Sequence, residues 1–434
     1  MMGEPNIKKS LKIIGGFFAF LLLWPILRAI ATPNDLNLFF SASKRLLMHQ
    51  NLYEPGYESQ GWVLKYYYSP LFATLLMPFT FLSDTLLLKE QIPLSIVVLK
   101  SIWGLLMVWF IWDMAKMIYE KFEFTTPKKF VWFWAVFAVL TWRWCFLNIL
   151  YGQMTILVLW GVMRAFRDDR LSKLNQLLPM SFGINIKILP VFILGQYFLM
   201  KQWRAFFTVI FLTIFLALLP FGYLPFDYHL ELLKGWMYNV NPFSGSHIVE
   251  IGEGGFVDFG ALITKYFTSM HIPGESTIHG FHWTEKEIFW STQAFRILIV
   301  CLCWLTLNVI KTGGFRNKSY WQMAVLLGII PLAFPHQRDY SLMLQLPMVS
   351  IILKEWVEGM LRLTLAHKVI FILGGVLMGN ILFLEAFPAF FRLHWQGLRL
   401  QGIGGMLVWF AFVHCIIFDS LHGVELRKRF KPRY

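Results

Sequence analysis

Apolar runs long enough to enter or cross a lipid bilayer recur from one end of this chain to the other, at about 11–31, 92–118, 129–147, 153–167, 203–220, 291–310, 319–334, 340–356, 368–388 and 402–420. One helical crossing needs roughly 20 apolar residues at ~1.5 Å each. In lipid, each backbone polar group must also be satisfied within the protein, which favours helices. The runs therefore predict an all-α polytopic membrane protein. Composition agrees, since 57% of the 434 residues are hydrophobic and only 15% are charged. That balance excludes a water-soluble enzyme or a nucleic-acid binder. The net charge of +14, from 39 Lys and Arg against 25 Asp and Glu, would suggest nucleic acid in a soluble domain. Here the basic residues sit between apolar runs, where they report topology.

Two stretches need arbitration. Ser69 to Leu82 is short and carries Pro70 and Pro78, and Leu177 to Met200 is interrupted by Pro179, Gly183, Asn185, Lys187 and Pro190. Prolines and polar residues in an apolar run point to broken half-helices. The basic clusters Lys8/Lys9/Lys12, Lys121/Lys128/Lys129, Arg164/Arg167/Arg170/Lys173, Lys201/Arg204, Lys311/Arg316/Lys318, Lys354/Arg362/Lys368 and Arg427/Lys428/Arg429/Lys431/Arg433 agree on one side only under two conditions: the first stretch re-enters, and the second is a hairpin. The expected topology has about twelve transmembrane helices and both termini cytoplasmic, in a single domain over 1–434. Segments 32–91 and 221–290 become long outer loops. The apolar run after Lys12 continues to Ala31 without a small-residue cleavage site, as in a retained signal anchor. Cys145, Cys301, Cys303 and Cys415 lie inside apolar runs, with no zinc or disulfide-framework spacing.

Polar residues beside the outer face are the places to look for chemistry, because lipid makes them costly. Asp35, in Pro33-Asn34-Asp35-Leu36-Asn37, opens an amphipathic segment running to Leu47. It reads either as a general base at the membrane surface or as a helix N-cap. Tyr66-Tyr67-Tyr68-Ser69-Pro70 is an aromatic run that an interfacial belt would also explain. Asn148-Ile149-Leu150-Tyr151-Gly152-Gln153 is a polar break that places two amides at the outer face, or a plain turn between helices. Pro335-His336-Gln337-Arg338-Asp339 brings an imidazole and a guanidinium together, as a phosphate at the membrane surface requires; a solvated turn with a local ion pair is the simpler reading. Lys187 is an ammonium within the broken segment, which calls for an anion or an aqueous cavity unless it snorkels. The histidines of 221–290 have no helical His-x-x-x-His spacing, and the chain has no phosphate-cradling Gly-rich loop, Gly-x-Ser-x-Gly elbow or Asp-x-Asp pair. No metal site or cofactor is expected.

Taken in order, these elements resemble the family-87 glycosyltransferases. The resemblance rests on Asp35 with Phe39-Phe40-Ser41-Ala42-Ser43, Leu52-Tyr53-Glu54-Pro55, Tyr68-Ser69-Pro70-Leu71-Phe72 with Pro78, Asn148 to Gln153 as an Asn-x-x-x-Gly-Gln element, Lys187-Ile188-Leu189-Pro190, and Asn241-Pro242-Phe243-Ser244. It runs from residue 30 to about 350. It departs at Pro335-His336-Gln337-Arg338, where Trp followed by Glu-His or His-His is usual, and at Tyr68-Ser69-Pro70, where Tyr-Pro-Pro is commoner.

The resemblance implies a GT-C fold whose first outer loop bears a catalytic carboxylate, Asp35. It implies transfer of a sugar, most often mannose, from a polyprenyl-phosphate-linked donor to a glycolipid or glycan acceptor of the cell envelope, on the extracytoplasmic side of the inner membrane. Lys187, His336 and Arg338 would hold the donor phosphate, while Tyr68, Asn148, Gln153, Asn241 and Ser244 would line the substrate site. The acceptor loop would be 221–290. A lipid or polysaccharide flippase is the alternative, since broken helices with an embedded lysine also suit a transporter. An O-antigen ligase or polymerase ranks last, because 221–290 contains no arginine.

Overall fold

A computed structural model describes residues 4–59, 62–82, 86–87, 92–167, 173–241, 255–268, 282–359, 363–382 and 384–422. The described residues are overwhelmingly helical. In chain order the helices are α1 (Glu4–Ala31), α2 (Asp35–Leu47), α3 (Pro70–Thr80), α4 (Leu94–Lys121), α5 (Pro127–Leu150), α6 (Thr155–Ala165), α7 (Leu174–Ile186), α8 (Leu194–Leu199), α9 (Trp203–Leu218), α10 (Phe226–Asn239), α11 (Phe259–Phe267), α12 (Glu285–Thr312), α13 (Lys318–Ala333), α14 (Leu346–Glu358), α15 (Leu365–Leu377), α16 (Ala389–Gly397) and α17 (Leu400–His422). Two antiparallel strand pairs are too short to form a sheet core: β1 (Tyr57–Ser59) with β2 (Trp62–Leu64), and β3 (Leu86–Leu87) with β4 (Ile92–Pro93).

Each of the ten apolar runs is occupied by a helix. By length and composition, α4, α5, α9 with its 3-10 extension, α12 and α17 can cross a membrane. The pair α1 and α2, bent by 48°, makes a sixth span if counted as one. The other runs hold helices of 11 to 16 residues, each shorter than a full crossing. Ser69 to Leu82 likewise holds the 11-residue α3, too short to cross alone.

The chain divides into two compact units, Lys12–Tyr119 with Cys145–Asn241, and Met1–Leu11 with Glu120–Trp144 and Pro242–Tyr434. In the first, α1 runs antiparallel to α4: Gly15 meets Trp112 and Gly104 meets Ile26. A Cβ at Gly104 would lie 2.9 Å from Ile26 Cγ2, so glycine is what lets these helices approach so closely. Helices α6 and α7 are also antiparallel, with Gly161 against the Pro179 carbonyl and Gly183 against Val158. By contrast, α7 and α9 are parallel, because Ser181 Oγ donates to the Val209 carbonyl (3.3 Å) and Asn185 Nδ2 to that of Thr213 (3.0 Å). The chain must therefore turn back between them. It does so after Lys187, and α8 returns until the Tyr197 hydroxyl meets Met180 Sδ at 3.7 Å. The expected hairpin over 177–200 is present.

The second unit is organised around α13, in which every residue from Ser319 to Ala333 is buried. A helix apolar all round belongs at a centre. Trp409 of α17 donates to the Val325 carbonyl (2.9 Å), and Gln345 to that of Gly328 (3.0 Å). Helices α15 and α17 meet where Gly374 and Gly404 face one another.

Candidate active site

Asp35 owes its position to the way α1 ends and α2 begins. Pro33 cannot donate a hydrogen bond that would extend α1. Asn34, in extended backbone, caps α2: its side chain accepts from Leu36 N (3.2 Å), and Asn37 Oδ1 accepts from Asn34 N (3.1 Å). The capping role that the sequence allowed for Asp35 thus falls to Asn34. Asp35 occupies the first helical position, where negative charge is favoured, and its carboxylate is left for other partners. Asn34 Nδ2 also donates to the Leu150 carbonyl (3.1 Å), and Asp35 N to that of Tyr151 (3.2 Å). Both tie the start of α2 to the turn after α5.

That turn is the Asn148–Gln153 element. Asn148 is fully buried, and its carbonyl accepts from Gln153 N at 2.8 Å. Gly152 sits at φ +66°, and a Cβ there would lie 2.8 Å from Leu36 Cγ and 3.2 Å from Leu36 N. Only glycine meets both demands, the left-handed backbone and the close approach to α2. The turn delivers Gln153 Nε2 to Asp35 Oδ2, to which it donates a hydrogen bond. A carboxylate only accepts, so the amide oxygen must face away. That buried Oε1 has no hydrogen-bond partner among the described residues.

Lys187 ends α7 in extended backbone, at the point where the hairpin turns. Its ammonium lies 3.4 Å from Thr155 Oγ1 and 5.9 Å from the centre of the Tyr68 ring, and it feels the charge of Asp35. Because α6 and α7 are antiparallel, the start of one and the end of the other share an end of the unit. Tyr68 stands in a packed aromatic nest, with its ring 4.6 Å from Phe39 edge-on and its carbonyl accepting from the Tyr53 hydroxyl (3.0 Å). The Tyr66 hydroxyl donates to the Ser69 carbonyl (3.1 Å). Aromatic packing and these hydrogen bonds hold Tyr66 and Tyr68 in place. Tyr57 lies earlier in the chain, at the start of β1. Burial pushes its phenol up to about 12 against the opposing pull of Arg45, so it stays protonated and is no rival to Asp35 as a base.

Five expected residues therefore converge in one unit: Asp35, Tyr68, Asn148, Gln153 and Lys187. Asn241 is exposed just beyond α10, and Ser244 lies outside the described residues. His336 and Arg338 belong to the second unit. Their imidazole and guanidinium stand 6.2 and 5.7 Å from the Phe256 ring, while the Val257 N–H donates to the Gln337 carbonyl (2.7 Å). The ion pair seen at this turn is a long-range one, and Asp339 makes it. Its carboxylate accepts from buried Arg143 at 2.7 Å, and Arg143 also reaches Glu385 at 2.8 Å. Arg143 looked like one more residue of an apolar run, and nothing local in the sequence marks its partners, 196 and 242 positions away.

Among the described residues, no three His, Cys, Asp or Glu side chains come together as metal ligands would. Chemically, the first unit offers a carboxylate oriented by an amide, with a buried acceptor beside it and an ammonium and an aromatic face close by. That set suits proton removal from a hydroxyl next to a bound anion. The family model of glycosyltransferase family 87 matches residues 66–335, more than half of the chain. No curated protein matches it. The matched span holds Tyr68, Asn148, Gln153, Lys187, Asn241 and Ser244; Asp35 precedes it, and His336 and Arg338 follow it.

Proposed function

This chain belongs to glycosyltransferase family 87 and is a membrane glycosyltransferase, and on that premise we propose that it moves a sugar, mannose foremost, from a polyprenyl-phosphate donor to a lipid-linked or cell-envelope glycan. The reaction takes place on the extracytoplasmic side of the inner membrane, in a GT-C fold of about twelve crossings with both termini cytoplasmic. The family is one of transferases, which decides between enzyme and flippase in favour of the enzyme.

One observation carries the mechanism: Asp35, Gln153 and Lys187 meet at one end of one unit, although the sequence scatters them. Asp35 takes the proton of the acceptor hydroxyl as that oxygen attacks the anomeric carbon from the face opposite the phosphate. The C–O bond to the phosphate breaks as the new glycosidic bond forms, in one inverting displacement through an oxocarbenium-like state. Gln153 holds the carboxylate in line, and its unmet Oε1 is placed to accept from a second sugar hydroxyl. Lys187 stabilises the charge that grows on the departing phosphate, an effect strongest where water is excluded. His336 and Arg338 are proposed as further phosphate ligands, for the chemistry of the pair alone. Asn241 and Ser244 are proposed acceptor contacts, with 221–290 as acceptor cover.

A panel of polyprenyl-phosphate sugars tests the reading. Purified protein supplied with a membrane glycolipid extract is expected to release polyprenyl phosphate from one donor of the panel and to glycosylate the extract. Release from none, by protein shown to be folded, would reject the donor class.

A further inference from the structure

A second buried cation stands close to this site, and the reaction described so far does not use it. Lys100 lies near the start of α4, a helix otherwise apolar enough to cross the membrane, and it is only 3% exposed. Its ammonium donates to the Thr32 carbonyl at 2.7 Å, and this is its one hydrogen bond among the described residues. No carboxylate pairs with it there. A charge buried without a counter-ion is costly, and a side chain that only filled space would be replaced without loss by leucine or methionine.

The place it reaches is specific. Thr32 is where α1 stops: its N–H and hydroxyl both return to the Arg28 carbonyl, at 3.0 and 2.9 Å. Its own carbonyl lies at the negative end of the helix, where a cation is favoured. Pro33 and Asn34 follow, the chain bends by 48°, and Asp35 opens α2. Asn34 is pinned from the other side, to the Ala29 and Leu150 carbonyls at 3.3 and 3.1 Å. The hinge that carries Asp35 is thus held from α4 by Lys100 and from the turn after α5 by Asn34.

We propose that Lys100 is a positioning residue for the transfer reaction, its ammonium fixing the Thr32–Asn34 hinge so that the Asp35 carboxylate stays in line with the attacking hydroxyl. This rests on the reading of Asp35 as the base. The lysine donates to the hinge and pairs with no carboxylate among the described residues, so its removal should slow the chemical step and leave ground-state binding alone.

The test uses the full-length protein and the donor that wild type turns over in the panel of polyprenyl-phosphate sugars. Lys100→Met is expected to lower kcat by about tenfold or more with KM within about twofold, since small misplacements of a reacting group cost up to ~10²-fold. Lys100→Arg, which keeps a charged donor, is expected to recover most of the rate. In an Asp35→Asn background, Lys100→Met should take nothing further from the residual turnover, because both changes act on one group. Wild-type kcat in Lys100→Met, or an equal fold-loss in both backgrounds, would overturn the proposal. Should the methionine variant fail to insert, Lys100→Gln, whose amide is too short to reach the same carbonyl, is read by the same criteria. Full turnover by Asp35→Asn alone would remove the base and this inference with it, whereas an essential Asp35 beside an indifferent Lys100 removes the inference only.

Discussion

The side-chain amide of Gln153 donates a hydrogen bond to the carboxylate of Asp35 across 118 positions of sequence. The bond orients the Asp35 carboxylate from the turn after α5. Hydrogen bonds to a charged group contribute about 1.5–3 kcal/mol, so Gln153→Ala is expected to lower kcat roughly 10- to 100-fold. Steady-state kinetics of donor consumption checks this, and an unchanged kcat would detach the amide from the chemistry.

Gly152 makes that contact possible. At φ +66° with Leu36 against it, Gly152→Ala is expected to destabilise the protein by about 1–3 kcal/mol. Gly195→Ala is the control, since a Cβ there meets nothing within 4 Å. Thermal unfolding in detergent should show a lower midpoint for the first variant and little change for the second.

Lys187 is the residue proposed to bind the donor phosphate. Lys187→Gln is expected to weaken donor binding roughly 10- to 100-fold, as loss of a charge-assisted bond of ~1.5–3 kcal/mol implies, with acceptor KM unchanged. Equilibrium binding of a non-transferable polyprenyl-phosphate sugar analogue is the measurement. Equal loss for donor and acceptor would mean that the lysine holds the fold rather than the phosphate.

Arg143 carries a different expectation, one of stability. Its guanidinium is 1% exposed and holds Asp339, itself 7% exposed, together with Glu385. Removing one partner of a buried pair strands the other, at a cost of about 3–5 kcal/mol. Arg143→Met should therefore lower the unfolding midpoint sharply, and a midpoint within a degree of wild type would show that the cluster tolerates water.

The sequence was most informative where physics is local. The apolar runs, the break at Lys187 and the polar turn at 148–153 each follow from residue type and spacing, and each has its counterpart in the structure. Asp35 was legible as a carboxylate opening an amphipathic segment, but not as the partner of Gln153, because that pairing depends on how α2 and the turn after α5 are brought together. Its rival reading as a cap could be settled only by seeing Asn34 take that role. Lys100 and Arg143 were hidden for the same reason. Each is a basic residue within the apolar stretch of a long helix, and its importance lies in a partner that only the tertiary fold supplies. The helix count is the hardest quantity to read, since several apolar runs hold helices shorter than a full crossing.

The central claim is that Asp35 is the base. Asp35→Asn keeps the size and the hydrogen-bonding outline of the side chain while removing its ability to take a proton, and losing a general base costs ~10²-fold or more. Sugar transfer by purified, folded Asp35→Asn protein, measured beside wild type with the same donor and glycolipid extract, should fall to about a hundredth or less. Transfer above roughly a tenth of wild type would contradict the assignment.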